Sequence, residues 1–181
     1  MKIFSLVMIA LISLPILSSA IQDKVTTGPY SISFDLGLPK DAYKVEIADP
    51  KKMETASGKA QTQYSLEIVN RTGINRMATI SIAKAPQTLL TLDEMATNAR
   101  LNMQNFGFSD IEVAALKIDG KNGSICMGYY FINKAKNEVY LVNYYPDQNT
   151  SASIMSSYPW NEGTLSILKT IHIETINATE H

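Results

Sequence analysis

The segment from Ser124 to Tyr145 constrains the fold more than any other part of the sequence, because it contains two apolar stretches joined by a polar turn. Ser124–Ile132 is rich in β-branched and aromatic residues, Asn133–Asn137 is polar, and Glu138–Tyr145 is apolar again. This pattern predicts a β-hairpin. In its first strand the apolar side chains fall on both alternating faces, so each face must be covered. The sequence therefore predicts a strand that lies between two layers.

The first twenty residues have the composition of a secretory signal peptide. Lys2 precedes an apolar run, Ile3–Leu17, and the small residues Ser18–Ala20 follow it. Charge, apolar segment and small-residue cleavage site occur in the order that export requires. The apolar run is shorter than the roughly 20 residues of a membrane span, and Pro15 lies near its end, so a retained anchor is the less favoured alternative. We expect residues 1–20 to be removed, leaving a secreted or extracytoplasmic protein without membrane insertion.

The rest of the chain has the length and charge of one ordinary domain. The full sequence has 181 residues, of which 45% are hydrophobic, and this predicts a single domain over residues 21–181 with its core at about 28–174. Lys and Arg number 16 and Asp and Glu 17; residues 1–20 contain one Lys and no acid, so the remainder carries a net charge of −2 with His neutral. This balance predicts no nucleic-acid partner.

A single cysteine, Cys126, means that an exported form of this chain has no internal disulfide. The domain must then be held together by its core and by sheet hydrogen bonds. Because Cys126 lies within an apolar strand, we expect it to be buried and unreactive, although a reactive or intermolecular thiol is the alternative.

Alternation of apolar and polar residues predicts two further hairpins. Tyr30–Leu36 and Tyr43–Ile47 both alternate, which predicts a first hairpin with one face in water. Asp49–Gln63 is polar and has no periodicity, so it is predicted to be a mobile loop. Tyr64–Asn70 and Met77–Ala83 flank a polar turn, and they predict the second hairpin.

Helical spacing and capping residues predict a helix after the second hairpin. Thr91 stands three residues before Glu94, the arrangement of a capping box, and apolar residues follow at helical spacing as far as Phe106. A last helix is predicted through Ile171, with fraying after Glu174. We expect these helices and the central hairpin to supply the core residues Leu92, Met95, Met103, Met127, Phe131, Leu141, Val142, Leu168 and Ile171.

Taken in order, these elements predict an α+β fold with an antiparallel sheet flanked by helices, and the chain resembles the Mog1/PsbP-like α/β/α sandwich family. The resemblance covers most of residues 28–174 and is carried by Tyr30–Phe34, Ile118–Gly120, Tyr140–Tyr145 and Leu168–Ile171. These are sheet and turn residues, so the resemblance implies a fold more than a role. Members of the family are mostly non-enzymatic binding or accessory factors, among them photosystem extrinsic subunits and a Ran-binding protein. Export argues against the Ran-binding role, and nothing in the sequence indicates photosynthesis.

The sequence predicts no catalytic residue, no metal site and no cofactor. Histidine is confined to His172, expected in the last helix, and to the final residue His181, so a histidine-based catalytic site would need one of these two. Asp147–Ser151 resembles the start of a calcium loop, but Ala152 and Tyr158 stand where that loop needs Gly and Glu. A polar hairpin turn explains this stretch.

Two kinds of surface site are predicted instead. Tyr158 and Trp160, the only Trp, lie on a Pro-containing turn before the last helix, and they are candidate anchors for an envelope or extracellular protein partner. The alternative is that Trp160 plugs the edge of the sheet. Four sequons are candidate glycosylation sites, unless they occur by chance: Asn70, Asn122, Asn149 and Asn177.

The sequence leaves two functional classes open. The favoured one is an exported, non-enzymatic binding or accessory protein of the cell envelope or exterior. The alternative is an exported enzyme whose active site the sequence does not reveal, and a pocket with paired carboxylates, or His172 beside an acid, would favour it.

We expect signal peptidase to cut after Ala20, because Ser18 and Ala20 supply the small side chains that the enzyme accepts. The intact mass of the exported protein should then equal that of residues 21–181. A membrane-bound species that retains residues 1–20 would show that the protein is tethered.

Overall fold

The structure is a computed structural model, which describes residues 22–54, 60–72, 76–84, 91–157 and 163–176. The predicted signal peptide lies outside these residues, as do the candidate anchors Tyr158 and Trp160 and the sequon residue Asn177.

The described residues form ten β-strands and two α-helices, which confirms the α+β class. The strands are β1 (Asp23–Thr27), β2 (Tyr30–Phe34), β3 (Tyr43–Glu54), β4 (Ala60–Asn70), β5 (Arg76–Lys84), β6 (Ser109–Ile118), β7 (Lys121–Ile132), β8 (Ala135–Asp147), β9 (Thr150–Ser157) and β10 (His172–Thr175). The helices are α1 (Leu92–Asn105) and α2 (Gly163–Thr170). Neither of these described helices is both long and apolar enough to cross a membrane.

The strands form two antiparallel sheets. The large sheet has seven strands in the order β3-β4-β5-β9-β8-β7-β6, and the small sheet has three in the order β1-β2-β10. Each sheet strand pairs antiparallel with its neighbours. The chain therefore builds most of its backbone hydrogen bonds from hairpins.

The large sheet is covered on both faces. Its first face carries Ile80, Ile125, Val142 and Ile154, which share one buried cluster with Ile32 of the small sheet and with side chains of α2. Its second face carries the alternate residues of the same strands, because successive side chains of a strand point to opposite faces. At the β6–β7–β8 end of that second face, α1 covers the sheet, and the buried residues there are Ala99, Met103, Cys126, Val139 and Leu141.

The predicted central hairpin is confirmed. β7 and β8 are joined by Asn133 and Lys134, whose φ values of +49° and +69° fit a two-residue turn that matches the twist of the strands. Cys126 is fully buried as expected, and burial raises the pKa of its thiol to about 11. Phe131, predicted to be core, is 64% exposed, because the hairpin extends beyond the layers that cover its base.

Most of the other predicted core residues are confirmed. The buried ones are Met95, Met103, Met127, Leu141, Val142 and Ile171, whereas Leu92 and Leu168 are half-buried. The capping box of α1 is present: the Glu94 backbone N–H donates to Thr91 Oγ1 at 3.3 Å, and the Thr91 N–H donates to Glu94 Oε2 at 2.8 Å. These bonds pair two backbone donors that a helix start would otherwise leave free.

The predicted first hairpin is wrong. β2 pairs with β1 and β10 in the small sheet, while β3 pairs with β4 at the edge of the large sheet. The face of Tyr30–Leu36 that is predicted to be in water is only partly so, since Ser31 is 4% exposed whereas Ser33 and Asp35 are half-buried. Alternation identified both strands correctly, but it carries no information about the partner of each strand.

The predicted loop at Asp49–Gln63 is also wrong in its described part. β3 continues to Glu54 and β4 begins at Ala60, with Lys51 opposite Gln63 after a register shift. The side chains of residues 49–54 are exposed. Backbone hydrogen bonds between the two strands stabilise this polar end of the hairpin, and because no apolar side chains are buried there, the sequence shows no hydrophobic periodicity. The predicted hairpin of β4 and β5 is confirmed.

The last described part of the chain is a helix followed by a strand. α2 ends at Thr170, and His172, expected to be helical, begins β10, which pairs with β2. The Thr170 hydroxyl accepts from the Asp35 N–H at 2.8 Å and donates to the Asp35 carbonyl at 3.1 Å. Ile173 is 5% exposed opposite Ile32, so burial of an apolar side chain favours strand pairing close to where fraying was predicted.

Gly28, in the turn between β1 and β2 of the small sheet, lies against the Tyr64 ring of the large sheet, and its replacement tests that contact. Gly28 has φ +53°, and a Cβ there would overlap the Tyr64 ring, whereas Gly37 has φ +67° with open space around it. Gly37→Ala should cost about 1–2 kcal/mol for its left-handed backbone. Gly28→Ala should cost roughly 1–3 kcal/mol more, because Tyr64 must move. Urea unfolding measures the free energy of unfolding of both variants. Equal losses in the two variants would show that the Tyr64 ring moves aside without destabilising the fold.

Candidate functional site

A groove of about 250 Å³ lies on the second face of the large sheet, beside α1. It exists because α1 packs on β6 and β7 and leaves the second face of β4, β5 and β9 beside it. The described residues that line it are Met53, Gln61, Gln63, Ser81, Ile82, Ala83, Met95, Asn98, Ala99, Asn102, Asn143, Tyr144, Tyr145, Ser151, Ala152 and Ser153.

The floor of the groove is part of a polar row that crosses the large sheet. Ser65 on β4 pairs with Ser81 on β5, and Ser81 pairs with Ser153 on β9. Ser153 pairs with Asn143 on β8, which pairs in turn with Ser124 on β7. Neighbouring strands are about 4.8 Å apart, so the row forms a continuous line of small polar side chains. Its last member, Ser124, is fully buried and its hydroxyl has no partner among the described residues.

Five carboxamides surround this floor, and they are the most distinctive feature of the groove. Asn98 and Asn102 project from α1, while Gln61, Gln63 and Asn143 come from the sheet and are half-buried. Within the described part of the chain, the structure gives none of these five side chains a hydrogen-bond partner. Each carboxamide offers an acceptor oxygen and two N–H donors. The groove therefore presents both donors and acceptors that the described fold does not use.

The hydroxyl groups of the groove differ in whether they have a hydrogen-bond partner. Ser81 Oγ lies 3.1 Å from Ser65 Oγ, and Ser151 Oγ donates to the Ala83 carbonyl at 3.4 Å. Ser153 has no such bond within the described residues. Tyr145 is half-buried, and burial raises the pKa of its phenol, so the ring is neutral at physiological pH.

The groove is electrically neutral. None of its described lining residues is Asp, Glu, Lys, Arg or His. Its apolar lining residues include Met53, which is 50% exposed, and the buried Met95 and Ala99. A charged ligand would lose its hydration without gaining an ion pair, and this disfavours phosphates, carboxylates and amines. An uncharged ligand with many hydrogen-bonding groups fits these walls.

A second depression, of about 470 Å³, lies at the β8–β9 turn. Its Asp147 carboxylate accepts from the Asn149 N–H at 2.7 Å, from Thr150 Oγ1 at 2.9 Å and from Thr175 Oγ1 at 3.1 Å. The chain's own donors thus use this carboxylate to build the turn. The interpretation of Asp147–Ser151 as a polar hairpin turn is confirmed, because β8 pairs with β9 and these hydrogen bonds close the turn around Asp147.

His172 lies beside an acid, as the enzyme alternative required, but the pair is on the surface. His172 Nδ1 is 2.7 Å from Asp119 Oδ2, and the two side chains are 52% and 31% exposed. The pair joins β10 to the turn between β6 and β7, and it does not line the groove. Among the described residues, no hydroxyl or thiol is hydrogen-bonded to the second ring nitrogen of His172.

No group of three or more His, Cys, Asp or Glu side chains within the described residues could hold a metal ion.

The predicted glycosylation residues that the structure describes lie apart from the groove. Asn149 is exposed in the β8–β9 turn. Asn70, at the end of β4, accepts from Thr72 Oγ1 at 2.9 Å. Asn122 lies in β7 and accepts from Lys117 Nζ. Asn149 is thus the most accessible of the three.

Sequence reasoning missed the groove, although part of its signal is present in the sequence. Asn98 and Asn102 are four residues apart in a strongly patterned helix, so they share one face. Ser65, Ser81 and Ser153 each occupy the polar side of an alternating strand. Their convergence depends on strand order, which the pattern does not specify.

Comparison of the sequence with models of protein families gives no match, and comparison with curated proteins gives none either.

The His172–Asp119 pair should contribute little to stability, because both groups are partly exposed to water. His172→Gln should lower the free energy of unfolding by about 0–1 kcal/mol, the usual range for a surface ion pair. The buried Ile173 should keep β10 in place. Urea unfolding of His172→Gln and Asp119→Asn provides the measurement, and losses well above this range would mean that the pair holds the small sheet onto the fold.

Proposed function

We propose that this protein is an exported, non-enzymatic binding or accessory domain that holds a small uncharged ligand in the groove beside α1. The observation that carries the proposal is the set of five carboxamides without partners in the described structure, gathered on walls without charge. Gln61, Gln63 and Asn143 are half-buried, and a ligand that covers them would supply hydrogen-bond partners in place of water. The export part rests on the sequence of residues 1–20.

The size of the groove supports a small ligand, or one short segment of a larger one. Ligand pockets usually measure about 300–1,000 Å³, and this groove lies just below that range. Its walls come from β-strands and one helix, which hold side chains more firmly than loops do. A ligand would therefore meet groups that are already positioned.

The proposal of a Mog1/PsbP-like sandwich is supported by two features. A broad antiparallel sheet has α1 packed on one face, and α2 lies with the small sheet on the other face. Binding and accessory roles are what that resemblance implies. The proposal also includes a partner protein that docks at Tyr158 and Trp160.

An exported enzyme is the second candidate, and the His172–Asp119 pair is the observation that favours it. An acid that hydrogen-bonds one ring nitrogen can orient a histidine as a general base. The pair is exposed on the surface and outside the groove, so a substrate would meet little else that positions it. If any hydrolytic activity is found, its loss in His172→Gln would support this candidate.

An NMR titration tests the binding function. Neutral probes such as acetamide, glycerol, glucose and N-acetylglycinamide should shift the backbone amide signals of groove residues, whereas acetate and methylammonium should not, because the groove offers charge no partner. Asn98→Trp should abolish these shifts by filling the groove. Thr97→Trp is the matched control: it adds the same ring to the preceding residue of α1, which is exposed and does not line the groove.

Both Trp variants should melt within a few degrees of the parent, since Thr97 and Asn98 are exposed on the helix. The proposal would be contradicted if none of the neutral probes shifted groove signals, or if Asn98→Trp left the shifts intact.

A further inference from the structure

We infer that the ligand of the groove is a neutral carbohydrate, held through its ring hydroxyls by the carboxamides of α1 and of the sheet. This inference rests on the proposed function and names the chemical class of the ligand. Four properties of the groove support it: its hydrogen-bonding capacity, the apolar parts of its walls, its lack of charged side chains, and its position on the face of a sheet.

Hydrogen-bonding capacity favours a ligand with many hydroxyls. A hydroxyl both donates and accepts, and a carboxamide offers both roles within one group. Asn98, Asn102 and Asn143 alone therefore supply three acceptor oxygens and six N–H donors. A ligand with few polar groups would cover these amides without pairing them, and each amide left unpaired under the ligand would weaken binding. A sugar ring carries a polar group on most of its carbons, so it leaves few wall groups unpaired.

The apolar side chains of the lining suit the C–H groups of a sugar ring. The C–H groups of a pyranose ring form apolar patches, and these pack against aromatic and aliphatic surfaces. Tyr145 is half-buried in the groove, and the exposed Met53 adds a flexible, polarisable side chain. Polar groups that fix orientation, set among apolar side chains, are the usual composition of a ligand site.

The absence of charged side chains among the described lining residues limits the kind of sugar that the groove can bind. Because no described lining residue is charged, a sugar acid or amino sugar would lose hydration without a compensating ion pair. A neutral hexose or an N-acetylated hexosamine meets no such cost. In the second case, the acetamido group can pair with a wall carboxamide in both directions.

The position of the groove disfavours an extended peptide, the other neutral ligand with many polar groups. Peptides that bind to sheets usually add a strand at a free edge, where main-chain groups are unpaired. The sheet residues that line it come from β4, β5, β9 and β8, which are paired on both sides, and among the described lining residues only Met53 comes from the edge strand β3. The groove therefore offers side chains and no main-chain ladder.

A titration with matched probes tests the inference. The purified protein is titrated with glucose, galactose, mannose and N-acetylglucosamine, with glucuronic acid and glucosamine as charged counterparts of the same ring. A neutral linear oligosaccharide and a neutral tetrapeptide complete the set. We expect at least one neutral sugar to shift groove signals, and we expect its charged counterparts to bind at least about tenfold more weakly. Tighter binding of the oligosaccharide than of its monosaccharide would identify a polymer segment as the source of the sugar.

Variants of α1 connect binding to the carboxamides. Asn102→Ala removes one carboxamide from the groove, whereas Asn105→Ala removes the same group from the end of the helix, outside the groove. Loss of one hydrogen bond should weaken sugar binding by roughly threefold to tenfold in Asn102→Ala. Asn105→Ala should bind like the parent. Equal binding by both variants would overturn the role assigned to the carboxamides.

The outcomes separate this inference from the function on which it rests. If acetamide or the tetrapeptide shifts groove signals and no sugar does, the carbohydrate inference fails while the groove remains a binding site. If neither sugars nor the other neutral probes shift groove signals, both proposals fail together.

Discussion

The need to bury both faces of the β7–β8 hairpin is the constraint on which the rest of this structure depends. Residues 123–128 of β7 are buried throughout, so one covering layer would leave half of these side chains in water. The small sheet and α2 cover the first face, and α1 covers the second. Gly128 shows how closely α1 approaches, since a Cβ there would lie 2.7 Å from Met103 Cε. The absence of a side chain at Gly128 therefore allows α1 to lie this close to β7.

The groove is a consequence of covering the two faces unequally. The first face is apolar across the large sheet and is packed against a second sheet. On the second face, one helix is too narrow for seven strands, because a helix with its side chains spans about 10 Å and strands are about 4.8 Å apart. Beyond its edge this face carries Ser, Asn and Gln side chains, whereas the part beneath α1 carries Cys126, Val139 and Leu141. These side chains suit a surface that meets water or a ligand.

The fold also places the uncharged groove and the titratable His172–Asp119 pair at different sites. The groove holds amides and hydroxyls without charge, whereas His172 and Asp119 lie at the turn that receives β10. A reaction that needs proton transfer would need these features in one place. This separation is one reason why we propose binding rather than catalysis as the role of the groove. It also means that variants of the pair and of the groove report on different functions.

Local features were readable from the sequence because their causes lie within a few residues. The capping box at Thr91, the β7–β8 hairpin and the burial of Cys126 all follow from neighbouring side chains and their period. Only the tertiary structure decided which strands pair, since alternation assigns a face but no partner. Alternation therefore predicts the wrong partner for β2. The polar end of β3 lacks hydrophobic periodicity, which predicts a loop, and His172, the first residue of β10, is predicted to be helical. The groove joins residues from Met53 to Ser153, and it exists only where strand order and the narrow cover of α1 bring them together.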